Sequence, residues 1–168
     1  MNSKLTTGQL VGLAAAALVL LCFFFPWVEV NLFLASINLS GFQLATGSGP
    51  AGSNLAGVPS LLLVPLSMAG VLVLIAACFF GSGSTTKTIA ALLLVAGGIS
   101  ALIILYHYFN LSQQFNRDAL GMIAQNMFSY SFGAHASLFG SVLVAGGGLL
   151  DLARSPKTNS HEPYRVRE

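Results

Sequence analysis

The sequence predicts an all-α integral membrane protein, a four-transmembrane-helix bundle that carries a small extracytoplasmic β-hairpin and an amphipathic interfacial helix. Three observations carry this reading. Seven Lys or Arg and five Asp or Glu make the chain only 7% charged, while 55% of its 168 residues are hydrophobic; soluble domains average about 25% charged residues, so this surface cannot face water all round. Four apolar stretches approach the roughly 20 residues that cross a hydrocarbon core. Between the first two lies a segment in which apolar and polar side chains alternate. The same composition excludes intrinsic disorder. A net charge of +2 on scattered residues excludes the continuous basic track that a nucleic-acid backbone requires.

Taken in order, the apolar runs are Gln9 to Phe25, Leu61 to Phe80, Ile89 to Phe109 and Ala134 to Leu152, none holding Lys, Arg or Glu. They define a transmembrane domain over residues 1–154, with spans at about 9–26, 60–80, 88–109 and 133–153 and outer loops at 27–59 and 110–132. A flexible cytoplasmic tail, 155–168, is expected to follow. Although Lys4 precedes the first run, that run exceeds the usual apolar region of a secretory signal and no A-x-A-like site follows closely, so it reads as a retained span. Orientation follows from the basic residues, which stay on the cytoplasmic side. With the N-terminus inside, Lys4, Lys87, Arg154, Lys157, Arg165 and Arg167 are inner and only Arg117 is outer. Both termini are therefore expected in the cytoplasm.

The first outer loop opens with WVEVNLF, where Val28, Val30 and Leu32 alternate with Glu29 and Asn31; the alternation resumes through Ile37 and Leu39 and loses phase at Gly41. This period of two predicts a hairpin ending in a bulge or a change of structure. A lone hairpin is marginal in water, so its apolar face needs a support. Thr46 to Asn54 (TGSGPAGSN) reads as a flexible return. In the second outer loop Leu111, Phe115, Ala119, Met122, Ile123 and Met127 recur at spacings of three and four, which predicts an amphipathic helix, lying in the interface or continuing the third span. Exposed apolar surface on such a cap marks a contact. The candidate interaction residues are accordingly Trp27, Val28, Val30, Leu32, Ile37 and Leu39 on the strand face, and Phe115, Met122, Ile123 and Met127 on the helix face.

Small residues four apart allow helices to approach closely in lipid. The fourth span has such a stripe, Gly133, Ser137, Ser141 and Ala145, expected to serve packing within the bundle and, less often, between subunits.

Candidate chemistry is sparse. His107 and His135 fall at matching depth near the outer boundary and could bind a metal or a redox cofactor, but without carboxylates or thiols at ligand spacing they read first as interfacial side chains. Cys22 lies roughly 20 Å deep from the inner face and Cys78 roughly 3 Å, at about 1.5 Å per residue, too far apart to form a disulfide. Asp151 stands three residues before Arg154, which suggests a local ion pair. No charge sits centrally in any span, which argues against an ion pathway. Asn38-Leu39-Ser40 and Asn110-Leu111-Ser112 match the glycosylation sequon. No cofactor and no catalytic residue is expected.

At FFFPWVEVNLF and INLSGFQLATG the chain resembles bacterial four-span membrane proteins whose first outer loop opens with Pro-Trp-Val and carries a Ser-Gly-aromatic-Gln-Leu segment. That resemblance implies a bacterial cytoplasmic membrane and brings no activity. The layout is also similar to that of claudins, which share four spans and a β-structured first outer loop, although the Gly-Leu-Trp and paired-cysteine signature is absent here. The function expected is a non-catalytic accessory subunit or scaffold of a membrane complex. Its partners would be the bilayer together with a membrane or extracytoplasmic protein, or a second copy. The alternative is a cofactor- or metal-binding redox subunit using His107 and His135.

Overall fold

A computed structural model describes residues 5–32, 35–49, 57–80, 86–115 and 128–154. The chain is mostly helical, with a small antiparallel sheet at one end. Helix α1 (Thr7–Cys22) leads through a tight turn to strands β1 (Pro26–Leu32) and β2 (Ala35–Ser40). A short helix α2 (Gly41–Thr46) follows. After a 3-10 turn (Pro59–Leu62) come α3 (Leu63–Phe80), α4 (Thr86–Phe115), β3 (Phe128–Tyr130) and α5 (Phe132–Arg154).

Among the described residues, three segments are long and apolar enough to cross a membrane: Pro59–Ala77, Lys87–Asn110 and Phe132–Arg154. The first apolar run is helical for only 16 residues, about 24 Å at roughly 1.5 Å per residue, instead of continuing to residue 26. Its end has a local cause. Phe24 and Phe25 bond back to the Leu21 and Cys22 carbonyls in a tightened last turn, and Pro26, which has no N–H to continue the helical ladder, opens β1. Its start is fixed by a capping box in which Thr6 Oγ1 accepts from the Gln9 amide and Gln9 Oε1 accepts from the Thr6 amide.

Helix α5 is the axis of the bundle, with α1 on one side and α4 on the other; α3 closes the remaining flank against α1 and α4. Missing side chains allow the close approach. A Cβ on Gly97 of α4 would stand 2.4 Å from the Ala145 amide nitrogen, and one on Gly147 of α5 would stand 2.6 Å from the Gly8 carbonyl oxygen. Val19, Val64, Met68, Leu93 and Val144 fill the centre, each no more than 1% exposed. Every helix also turns large apolar residues outward: Leu21, Leu66, Val73, Leu102 and Phe139 are each more than 60% exposed. Such a surface on all sides suits hydrocarbon rather than water.

Polar side chains inside the bundle are paired mostly across or along helices. Ser67 of α3 and Ser100 of α4 share a hydrogen bond at 2.6 Å, and the Ser141 hydroxyl donates to the Ser137 carbonyl at 2.8 Å. At the end away from the sheet, the Thr6 hydroxyl donates to Asp151 Oδ2 at 2.5 Å. Asp151 is 4% exposed and packs over Gly8, joining the start of α1 to the end of α5. The carboxylate expected from the sequence to face Arg154 is thus buried and makes an interhelical contact with Thr6. Thr6, Lys87 and Arg154 therefore mark one end of the bundle and the sheet marks the other.

The sheet has the order β2-β1-β3. Its register pairs Val28 with Leu39 and Tyr130, Glu29 with Asn38 and Ser129, and Val30 with Ile37 and Phe128. The segment between α1 and α2 thus forms the expected hairpin, and a third strand from the segment between α4 and α5 completes it. The phase change at Gly41 is the first residue of α2, capped by Ser40 and Gln43 in a second capping box and stopped at Gly47 with φ 74. Helix α4 runs on to Phe115, past Asn110 where its apolar segment ends. Residues 116–127 of the expected amphipathic helix, most of the Gly/Ser return, the Gly81–Lys87 turn up to residue 85 and the tail 155–168 lie outside the described residues.

Candidate functional site at the junction of cap and bundle

Trp27 anchors the sheet to the helices. Its indole Nε1 donates to the Cys22 carbonyl at 3.0 Å, and its ring meets Phe23 edge-on at 5.6 Å between centroids. Two glycines make the slot: a Cβ on Gly41 would lie 2.7 Å from Trp27 Cε2, and one on Gly133 would lie 2.8 Å from Trp27 Cδ1. The Ser131 amide then donates to the Trp27 carbonyl, bringing the start of α5 onto β1.

Beside Trp27 lies a partly enclosed cavity of about 50 Å³. Its walls come from β1, α2, the 3-10 turn, α4, β3 and α5 and are almost wholly apolar, with Val58, Leu61, Ile104 and Ala134 among them. One wall is an aromatic pair, Tyr108 and Tyr130, stacked at 3.8 Å with 16° between planes. The Tyr130 hydroxyl donates to the Tyr108 carbonyl at 2.7 Å. Burial, and secondarily the Tyr108 phenol, push the Tyr130 pKa up to about 12. This phenol stays protonated and acts as a strut between β3 and α4.

The polar rim is a Ser–His pair, Ser60 Oγ and His107 Nε2 at 2.8 Å. Nucleophile and base at hydrogen-bond distance are part of a hydrolytic site, but such sites also orient the base through a third group. The two carboxylates among the described residues stand elsewhere: Glu29 is in the polar row of the sheet and Asp151 is at the opposite end. The pair is a hydrogen-bonding rim. His135 is exposed; its Nδ1 donates to the Ser131 carbonyl at 3.1 Å, and its ring stands edge-on to Tyr108 at 6.1 Å. Each histidine thus already uses a ring nitrogen locally, His107 with Ser60 and His135 with the Ser131 carbonyl. Among the described residues, no group of three or more His, Cys, Asp or Glu could hold a metal.

The structure distributes the sequence-derived contact residues unevenly. Trp27, Val28 and Leu39 are 4%, 2% and 8% exposed, in the chain's own core, and Val30 and Ile37 pack half-buried against it. These five support the cap from within, Trp27, Val28 and Leu39 being covered by the chain itself. Leu32 pairs with Ala35 in the hairpin, and Phe115 is the last residue of α4; no more is described of either. Met122, Ile123 and Met127 lie outside the described residues. Of the small-residue stripe, Gly133 faces Trp27 and Pro26, Ser137 and Ser141 are fully buried, and Ala145 lies against Gly97, all contacts within this chain.

Ser60, Tyr108 and Tyr130 belong to the junction and were not singled out by sequence reasoning. The available signal was partial: a Ser after Pro59 ahead of an apolar run, and Tyr-His-Tyr and Ser-Tyr-Ser flanking the second outer segment. Against family models, curated proteins and solved structures, the chain shows no match.

Proposed function

We propose that this chain is a four-span protein of a bacterial cytoplasmic membrane, with both termini cytoplasmic. It serves, without catalysis of its own, as an accessory subunit or scaffold of a membrane complex, engaging a membrane or extracytoplasmic protein through its cap. The observation that carries this reading is the sheet. Its register sets Glu29, Asn38 and Ser129 in one row and Asn31 and Ser36 in the next, both polar, opposite to the apolar face that rests on the bundle. Nothing in lipid packing calls for such a platform built from two separate outer segments. Strand β2 is the longer of its two edge strands, and an edge strand is a template for a partner.

The four-span reading is supported by α1, whose apolar run reaches Phe25 and whose ends meet those of α5. The orientation is supported by the sequence distribution of basic residues, and the two basic residues among those described, Lys87 and Arg154, belong to the helix ends away from the sheet. The bacterial setting rests on the resemblance over residues 24–47. Co-purification in mild detergent, followed by identification of the accompanying protein, tests the function. Glu29→Arg combined with Asn38→Arg should release the partner while the bundle stays folded, and truncation after Lys157 should leave it bound. Release by truncation but not by the sheet variant would refute the proposal.

A further inference from the structure

We propose that the junction cavity is a binding site for the ester-proximal part of a membrane lipid acyl chain, with the lipid's ester carbonyl held at the Ser60–His107 pair. This rests on the membrane reading above and goes beyond it by naming a bound ligand class.

Three observations point to this occupant. The first is depth. Ile104, His107 and Tyr108 stand six, three and two residues before Asn110, where the apolar segment of α4 ends, hence about 9, 5 and 3 Å below that level at roughly 1.5 Å per residue. In a bilayer this zone holds the ester groups and the first methylenes of the chains, just inside the headgroup layer. The second is chemistry. A hydrocarbon wall with one polar pair at the rim matches an ester followed by a chain. With the proton on His107 Nε2, the ring donates to Ser60 Oγ and the serine hydroxyl proton is free for a carbonyl acceptor. The third is size. A cavity of about 50 Å³ exceeds what one water needs, and its lining offers water too few partners. It has room for a short stretch of chain and not for a whole tail, as expected where a lipid enters sideways. A chain coming from lipid is already out of water and gains only packing on entering, so exchange with bulk lipid should be rapid.

Trp27, the single tryptophan of the chain, lines this cavity and is only 4% exposed, which makes it a reporter. The protein is reconstituted in phosphatidylcholine vesicles whose chains carry bromine near the ester end or near the methyl end, and Trp27 fluorescence is compared with that in unbrominated vesicles. Ester-end bromine should quench Trp27 more strongly than methyl-end bromine. Ala134→Leu and, as an independent filling, Val58→Phe should each recover emission by closing the cavity, with vesicle insertion and helix content unchanged. Equal quenching in wild type and both filled variants would show contact from bulk lipid alone and overturn the proposal, as would the absence of ester-end quenching in protein that floats with the vesicles. Protein that fails to float would overturn the membrane reading and this inference together.

Discussion

Substitution of Gly97 by Ala probes the central contact of the bundle, because its neighbour Gly98 provides an internal control. A Cβ at position 97 would lie 2.4 Å from the Ala145 nitrogen, 2.7 Å from the Ser141 carbonyl oxygen and 3.0 Å from the Ala145 Cα, whereas one at position 98 meets nothing within 4 Å. All three obstacles are backbone atoms of α5, so no rotamer change can relieve them and the helices must part by about 1 Å to restore ordinary contact. Overpacking of a filled interior costs about 1–3 kcal/mol, and separation also weakens the packing that holds helices together in lipid. At position 98 the same exchange gains roughly 0.5–1 kcal/mol of helix propensity. The two alanines should therefore differ by about 1.5–4 kcal/mol. Reversible unfolding by a denaturing detergent, followed by circular dichroism in mixed micelles, measures the difference. Equal stability of Gly97→Ala and Gly98→Ala would refute the reasoning and the α4–α5 register from which it comes.

Thr6→Val removes both the cap of α1 and the donor to Asp151 Oδ2, and should cost about 2–4 kcal/mol by the same assay; Thr6→Ser should retain most of it, and an unaffected Thr6→Val would mean that the contact bears no load. Trp27→Phe leaves the Cys22 carbonyl without its indole donor and should cost about 1–3 kcal/mol. For Tyr130 the folded pKa of about 12 stands above the ordinary 10.0. Its contribution to stability is thus fully present below pH 10 and is lost as the pH rises through about 12. The tyrosinate absorbance of the folded protein should show one late step that disappears in Tyr130→Phe, and a titration completed near the ordinary value would contradict the buried strut.

The long apolar runs were legible because each helix buries only one side and shows lipid-compatible residues on the other, so hydrophobic content is visible without knowledge of the packing. The hairpin was legible from its period of two, and its faces agree with the register Val28–Leu39 and Glu29–Asn38. Local chemistry was present but overlooked at Ser40 and Gln43, whose spacing is that of a capping box and marks α2. What one sequence could not convey were pairings between distant residues: β3 with β1, Ser60 with His107, and Thr6 with Asp151, the last 145 positions apart. The burial of Trp27 belongs to the same class, because its slot is made by glycines from α2 and α5. The burial of Val28 and Leu39 was illegible for the same reason, since their cover comes from elements far along the chain.

Site-directed labelling tests the membrane arrangement most directly. In a background in which Cys22 and Cys78 are replaced by Ala, single cysteines are introduced at Ser48, just beyond α2, and at Ser160, in the C-terminal tail, and intact cells are treated with a membrane-impermeant thiol reagent. The cysteine at 48 should react, and the one at 160 should react only after the membrane is permeabilised. Labelling at 160 in intact cells with protection at 48 would place the cap in the cytoplasm and contradict it.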